Sequence, residues 1–503
     1  MSGPFCLKRS VNMDVANSEG LKASQPNQKN HVIYDPIYGF IKLNPIEFEI
    51  ISSPFYQRLR WIKQLGFSCY VFPGAEHSRF HHSIGVMFNA HKILESCGRA
   101  VSEKELMDAS CLTPECVYHK SLRLAALMHD LGTFMFSHTT EMAYIEYGET
   151  TKAKGGKGLP DDHENLGAFI IKNTDYPGGI TYILKKYGIN PQRISDLVKG
   201  VDESILANQI LHSEVDCDRM DYLLRDAHYT GLSYGSYDRD YLLYHFQVKR
   251  VDNHDILTIR HNALHCVEDF LTSRFSWYSQ VIRSPRGAKF DSIAERVCYY
   301  LLEKGFIYKY SELLEMIEKD PMKFYGFNDN YFMTLVHKHY NNGDLDKNPK
   351  IKDMARVILL ASGGKAIRCE EFKSRLLSQD DPQALERYYK RAHAKFLEIE
   401  EFLKKKGGPS DWVISDIPKK SIMFVKSPKN VARGSTTGKH NILLDRDPVK
   451  MAMENGEIKL LADVENSLIS RLFNSNNFIP NVYCSTSAYE LLLAEGVIDG
   501  SFS

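Results

Sequence analysis

The sequence has no excess of either charge: 63 Lys and Arg stand against 63 Asp and Glu. A balance of zero argues against a chain whose main work is coating nucleic acid, although it leaves room for a local basic groove. No run of about eighteen apolar residues occurs, so no segment is expected to span a membrane as a helix. The 10 cysteines form no Cys-x-x-Cys pair, and Cys111 and Cys116 are followed by no second pair at zinc-site spacing. The first residues do not read as a signal peptide, and the expectation is reduced thiols in a cytoplasmic protein. Internal repeats are absent as well.

The 503 residues are 43% hydrophobic and 25% charged, the balance of a globular protein larger than one ordinary domain. Residues 1–29 are polar and aperiodic and read as a disordered tail. From Val32 to Leu43, two short apolar runs about Asp35-Pro36 and Gly39 predict a hairpin, followed by helices at 45–51 and 53–65. A helix runs to Leu94, residues 101–120 read as a polar connection, and residues 148–162 read as a Gly/Lys-rich mobile loop. Alternation around Asp252-Asn253 predicts a second hairpin, and helices return from Ala263 to about Asp380. A charged helix at 381–406 ends in Lys404-Lys405-Lys406-Gly-Gly-Pro. The expected division is a core at 30–300, a helical extension at 301–406 and a small mixed α/β appendage at 407–503. The expected class is mainly α.

The most informative stretch is Ser121-Leu-Arg-Leu-Ala-Ala-Leu-Met-His129-Asp130-Leu-Gly132. Every residue from Leu122 to Met128 except Arg123 is apolar, which predicts a buried helix closed by Gly132. An imidazole and a carboxylate at the end of such a helix are costly to bury without a metal or a hydrogen-bonding partner. His82 and the acidic cluster Glu214-Val-Asp216-Cys-Asp218-Arg-Met-Asp221 are further candidate ligands in helical context. Two imidazoles and two carboxylates from three helices suit Mn, Fe, Zn, Co or Ni better than Mg, which prefers oxygen donors.

The order His82…His129-Asp130…Asp218 resembles that of the HD-domain phosphohydrolases. So do Arg79-Phe-His-His-Ser-Ile-Gly and Asp216-Cys-Asp-Arg-Met-Asp-Tyr222-Leu-Leu-Arg-Asp226. Asp35-Pro-Ile-Tyr-Gly, Gln57-Arg-Leu-Arg60-Trp-Ile-Lys-Gln64-Leu65-Gly and Phe136-Ser-His138 extend the likeness over about residues 31–300. Within that superfamily the sequence is most similar to the deoxynucleoside triphosphate triphosphohydrolase branch. The resemblance implies an HD-type helical core and a metal held by His82, His129, Asp130 and Asp218. It implies hydrolysis of a dNTP to deoxynucleoside and inorganic triphosphate through attack of water at the α-phosphorus, with Mg accompanying the triphosphate. His138 would act as general acid with His163 beside it, and Glu141 and Glu164 would orient the two imidazoles. Arg79, Arg219 and Arg274 would face the triphosphate. Gln64, Leu65, Tyr222 and Asp226 would form the sugar pocket, with Tyr222 excluding a ribose hydroxyl. The family also implies a homo-oligomer, dimer or tetramer, and a nucleotide activator.

Three departures bear on the substrate. Thr133 stands at a phosphate-facing histidine of the family, and a hydroxyl carries no positive charge. Ile282-Arg283-Ser284-Pro285 replaces Tyr-x-His-Lys, with Arg283 or Arg286 as the candidate compensating cation. Ser52 and His31 stand where the activator pocket needs aspartate and lysine, while Gln57 and Arg60 are kept. Two other readings therefore stay open. One is an HD phosphodiesterase on another phosphate ester, with His77, His81, His138 and His163 as extra ligands for a second metal. The other is a catalytically weak regulator that binds nucleotide or nucleic acid.

Overall fold

The computed structural model describes residues 31–153, 162–378, 381, 383–418, 422–423, 441–472 and 475–499. The expected tail at 1–29 lies outside the described residues, as do residues 154–161 of the loop expected at 148–162. Among the described residues the chain is mainly helical, with four small sheets. No helix among them is long and apolar enough to cross a membrane.

The first hairpin pairs His31–Asp35 with Gly39–Leu43 in antiparallel register, Val32 opposite Lys42 and Asp35 opposite Gly39. Asp35 makes the turn by accepting from the backbone N–H groups of Ile37 (2.8 Å) and Tyr38 (3.1 Å). Helix Pro45–Ile51 follows. The single helix expected at 53–65 is broken: Pro54–Gln57 is helical and capped by Ser53, and Arg58–Trp61 tightens to a 3₁₀ turn. The chain then extends at Ile62, so that Lys63 bridges Ser78 and Gln64 leaves the helix axis.

Helix Pro114–Met128 is the apolar centre. Its N-terminal half was expected to be connection, yet Thr113 accepts from the Cys116 amide and Pro114 occupies the first turn. Leu122 and Leu124 to Met128 are fully buried, and Arg123, the one polar residue among them, lies 2.6 Å from Glu47 in a two-pronged ion pair. The helix ends at Met128, so His129 and Asp130 occupy the turn after it and Gly132 lies beyond its end. Gly132 instead permits a close backbone approach, because a β-carbon there would collide with the backbone at His163 and Gly167. Cys111 and Cys116 are paired as a disulfide just before and within this helix, in contrast to the reduced state expected. Five residues apart, they are brought together by the turn at the helix start.

Helices Arg79–Ser96 and Pro191–Val198 pack on the central helix, and Cys217–Thr230 packs on Arg79–Ser96. Gly85 makes the second contact close: a β-carbon there would strike the Asp221 carboxylate. Helix His138–Ala153 takes up the first residues of the expected 148–162 loop. The second hairpin pairs Phe246–Val251 with His254–Arg260 through Asp252 (φ 47°) and Asn253 (φ 64°), a turn that Asn and Asp tolerate. Lys450–Ala452 joins this hairpin in parallel and Ile458–Leu460 completes a four-stranded sheet. The helical run expected to reach Asp380 gives way earlier to short strands Lys365–Ala366 and Arg375–Ser378. These pair with Asn481–Cys484 and Ser475–Phe478. Helix Ala384–Lys406 and the C-terminal helix Thr486–Ala494 bury a second apolar cluster around Ile399, Val482 and Leu492.

Candidate metal centre and adjoining cleft

Two helices and the turn after a third bring the four residues of the His/His-Asp/Asp pattern together. Fully buried His82 presents Nε2 at 3.0 Å from Asp218 Oδ1 and 3.7 Å from Asp130 Oδ2. His129 Nε2 is 3.4 Å from Asp130 Oδ2 and 3.8 Å from Asp218 Oδ1. Both imidazoles are oriented through their other nitrogen. His82 Nδ1 meets Asp221 Oδ2 at 2.8 Å, and His129 Nδ1 lies 2.8 Å from the carbonyl of Ala126. Asp221 is held in turn by Arg225 at 2.8 and 2.9 Å, and Arg225 reaches Asp35 of the first hairpin at 2.9 Å. The Asp-Pro-Ile-Tyr-Gly turn is thus tied to the ligand set through two buried charges. Sequence reasoning placed Asp221 in the acidic cluster but missed this role; the signal was its spacing of three residues from Asp218.

The residues fit a divalent ion. His82 Nε2 and His129 Nε2 are buried, and among the described residues neither makes a hydrogen bond of good geometry, although carboxylate oxygens of Asp130 and Asp218 lie 3.0–3.8 Å from them. Unsatisfied buried nitrogens beside two carboxylates cost free energy unless a cation occupies the space between them. Burial opposes charge at His82, but Asp218 and Asp221 outweigh it and raise its pKa to about 9, which marks a site that attracts positive charge. Burial also works against ionisation of Asp130, and Arg79 with both imidazoles overrides it, holding the carboxyl well below its ordinary range.

A second cluster stands beside the first. Glu141 Oε2 lies 2.7 Å from His138 Nδ1, and Oε1 lies 2.6 Å from His163 Nδ1 while accepting from the His163 amide at 2.8 Å. One carboxylate therefore orients both imidazoles. Glu164 is exposed, and among the described residues no hydrogen bond joins it to either ring. His138, Glu141 and His163 are also close enough to share an ion. His77 and His81 do not join either cluster: His77 Nε2 meets Asp226 Oδ1 at 2.7 Å, and His81 pairs with Ser78.

The Glu141 pair has a definite pH signature. Burial lowers the His163 pKa, but Glu141 reverses this and lifts it to about 9. Burial raises the Glu141 pKa, and the two imidazoles overcome that and push it far down. The His163 contribution to stability is complete below its unfolded pKa near 6.5 and is lost as pH rises through about 9. The Glu141 contribution is complete above its unfolded pKa near 4.5 and is lost as pH falls. Glu141→Gln is therefore expected to destabilise by on the order of 1–3 kcal/mol near pH 5–6, and by much less above pH 9. Denaturant titrations of both proteins across pH measure this; a pH-independent difference contradicts it.

The cleft beside these clusters has a volume of about 450 Å³. Gln64, Leu65, Tyr222 and Asp226 line it, and so do Arg79, Arg219 and Arg274. A smaller cavity of about 240 Å³ reaches His129, Asp130, His163 and Glu164, and the two spaces share Arg79, His138 and Asp218. Tyr222 packs on Trp277 with ring centroids 4.6 Å apart. Among the described residues, Gln64 Oε1, Asp226 Oδ2 and Trp277 Nε1 are buried without hydrogen-bond partners, so unsatisfied polar atoms gather at the cleft as they do at the metal centre.

The arginines are already engaged by carboxylates. Arg79 is 2.6 Å from Asp130, Arg274 is 2.6 Å from Glu214, and Arg219 pairs with Asp216. Thr133, at the position of the family's phosphate-facing histidine, is buried and its hydroxyl donates to Asp130 Oδ1 at 3.3 Å, so it buttresses a candidate ligand. One expectation is corrected. Arg283 points away from the cleft, 2.6 Å from Asp416 and 3.1 Å from the carbonyl of Ile479, because the C-terminal strands supply acceptors there. At the activator position His31 stacks on Phe48 at 3.5 Å, and Gln57 accepts from Arg60 at 2.8 Å.

An HD-domain family profile matches residues 79–226, from Arg79 at the start of the His82 helix to Asp226 in the cleft. The chain carries an HD domain. Among curated relatives, a Bacillus subtilis protein, YwfO, of uncharacterised function is 31% identical over 300 residues, 57% of this chain and 60% of that one. The human deoxynucleoside triphosphate triphosphohydrolase SAMHD1 is 27% identical over 360 residues, 65% of this chain and 53% of the human protein. The match thus spans little more than half the length of these relatives. A hypothetical protein from Aquifex aeolicus, solved by crystallography, shares the fold with a TM-score of 0.61 at 24% identity, across 93% of this chain and all of that one. The HD-domain segment contains all four candidate ligands, His138, His163 and Asp226, whereas Gln64, Leu65 and Arg274 lie outside it.

Proposed function

We propose that the chain is a metal-dependent phosphohydrolase that splits a (deoxy)nucleoside triphosphate into the nucleoside and inorganic triphosphate. The reading rests on one observation: the cavity at the candidate metal centre and the adjoining cleft share Arg79, His138 and Asp218, so a phosphoryl group can lie between them. His82, His129, Asp130 and Asp218 would hold the ion, which is Mn, Fe, Zn, Co or Ni. Once bound, such an ion lowers the pKa of water and offsets charge on the phosphoryl oxygens.

The chain's own residues supply the rest. His138, 63% exposed and held through Nδ1 by Glu141, presents its other nitrogen for proton transfer to the departing 5′-oxygen. His163 on the same carboxylate keeps Glu141 ionised and fixed. Arg79, Arg219 and Arg274 give guanidinium donors for phosphate oxygens. Gln64 Oε1 and Asp226 Oδ2 supply buried acceptors for a sugar hydroxyl, and Tyr222 against Trp277 gives the sugar and base a flat wall. A ligand that leaves those acceptors unpaired is discriminated against.

One observation favours a second reading, an HD phosphodiesterase on a less highly charged phosphate ester. Neither Thr133 nor Arg283 adds a cation to the cleft, and its arginines are each paired with a carboxylate. The resemblance further supports a homo-oligomer, dimer or tetramer, and a nucleotide activator as proposals about the whole protein. The test is product analysis by phosphorus NMR with each dNTP and NTP, in Mn and in Mg, singly and in mixtures. Intact triphosphate is expected as the phosphorus product; release from cyclic or diester substrates alone overturns the triphosphohydrolase reading in favour of the second.

A further inference from the structure

We infer that Asp329, at the start of helix Asp329–Asn341, is a positioning residue that clamps the His138 turn to the Gln64 strand-like segment. Asp329 lies 103 positions beyond the end of the HD-domain segment, which closes at Asp226. Its carboxylate is buried and bridges two backbone amides from different parts of the core. Oδ2 accepts from the Lys63 amide at 2.9 Å, and Oδ1 accepts from the Phe136 amide at 2.6 Å. Lys63 immediately precedes Gln64 and Leu65, and Phe136 precedes Ser137 and His138.

The turn that Asp329 grips is one the backbone does not adopt readily. Phe136 and Ser137 both have positive φ, 51° and 56°, a conformation that residues with a β-carbon avoid unless their surroundings enforce it. Two further contacts enforce it. The Ser137 hydroxyl donates to the carbonyl of Lys63 at 2.6 Å, and Arg79 Nε donates to the same hydroxyl at 3.0 Å. Arg79 then reaches Asp130 at 2.6 Å. A continuous path of hydrogen bonds therefore runs from Asp329 to a candidate ligand. On the other side of the loop, fully buried Arg58 donates to the carbonyls of Leu131 (3.0 Å), Thr133 (2.8 Å) and Phe327 (2.9 Å). Both ends of the 131–137 loop are thus tied to the Phe327–Asp329 segment.

The consequence for catalysis rests on the hydrolytic reading of the cleft. A proton donor must sit within hydrogen-bond reach of the leaving oxygen, and His138 takes its position from the turn that Asp329 holds. A buried acid with two amide donors could equally serve stability alone, and the two roles differ in one respect: positioning acts through His138, stability does not.

The test uses the full-length, metal-loaded protein with Asp329→Asn, His138→Gln and the double variant. Two measurements are made on folded material: amide hydrogen exchange by mass spectrometry, and hydrolysis of dATP. In Asp329→Asn, exchange of the Lys63 and Phe136 segments is expected to rise about tenfold while helix Pro114–Met128 is unchanged. The kcat for dATP is expected to fall about a hundredfold in the parent background, but only about twofold in the His138→Gln background. Unchanged exchange overturns the clamp, and an equal loss of kcat in both backgrounds overturns its action through His138. If the parent hydrolyses no nucleotide, the hydrolytic reading is what fails, and the exchange at Lys63 and Phe136 alone then upholds or overturns the clamp.

Discussion

Replacing His129 by alanine is expected to remove the metal and the turnover together while leaving the fold in place. Among the described residues the imidazole makes one hydrogen bond, from Nδ1 to the Ala126 carbonyl, and Nε2 faces the carboxylates of Asp130 and Asp218 at 3.4 and 3.8 Å. Its loss deletes a donor and a small volume at the end of helix Pro114–Met128, not a packed core side chain. His82 is a poorer choice for the same test, because its Nδ1 anchors Asp221 and through it Arg225 and Asp35. Groups that merely orient a ligand commonly cost about 10–100-fold in metal affinity when removed, and a ligand itself costs at least as much. Metal content per chain by plasma mass spectrometry, with circular dichroism as the folding control, measures the effect. Full metal content in the variant contradicts the assignment of His129.

His138→Ala is expected to lower kcat by about 10²–10⁴, the range for loss of a general acid. Stability is expected to change little, since the side chain is 63% exposed and its one hydrogen bond among the described residues is to Glu141. The cause is tested by changing the leaving group. A deoxynucleoside 5′-oxygen departs as a strongly basic alkoxide unless protonated, whereas p-nitrophenolate departs without help. The loss should therefore shrink to less than about tenfold with a p-nitrophenyl phosphodiester. Equal losses for both substrates mean that His138 binds or positions and does not protonate.

The legible part of this protein was the part written locally. The apolar run before His129-Asp130, the Asp-Pro-x-x-Gly turn and the Asp252-Asn253 turn each carry their structural cause within a few residues. The start of the central helix at Pro114 was also written locally, in Thr113-Pro114-Glu115, and was obscured by the polar residues around it. What the sequence hid is long-range. Asp329 meets Lys63 across 266 residues and Phe136 across 193, and no periodicity or spacing rule spans such distances. Thr133 and Arg283 show a different limit. Their residue types were known at once, but the direction of each side chain was set by the nearest strong acceptor: Asp130 for Thr133, and Asp416 with the Ile479 carbonyl for Arg283. The cleft residues do come together, yet they are drawn from segments as far apart as Gln64 and Arg274, so only resemblance grouped them before the fold did. The Cys111–Cys116 disulfide depends on a turn that composition does not reveal.

The most direct test of the central claim is hydrolysis in ¹⁸O-labelled water, with the products separated and weighed. Attack at the α-phosphorus with departure of the 5′-oxygen places one ¹⁸O atom in the inorganic triphosphate and none in the nucleoside, and the label should be absent altogether with His129→Ala. Label in a nucleoside monophosphate or in pyrophosphate, with no triphosphate formed, would contradict the account and place the reaction at a different bond.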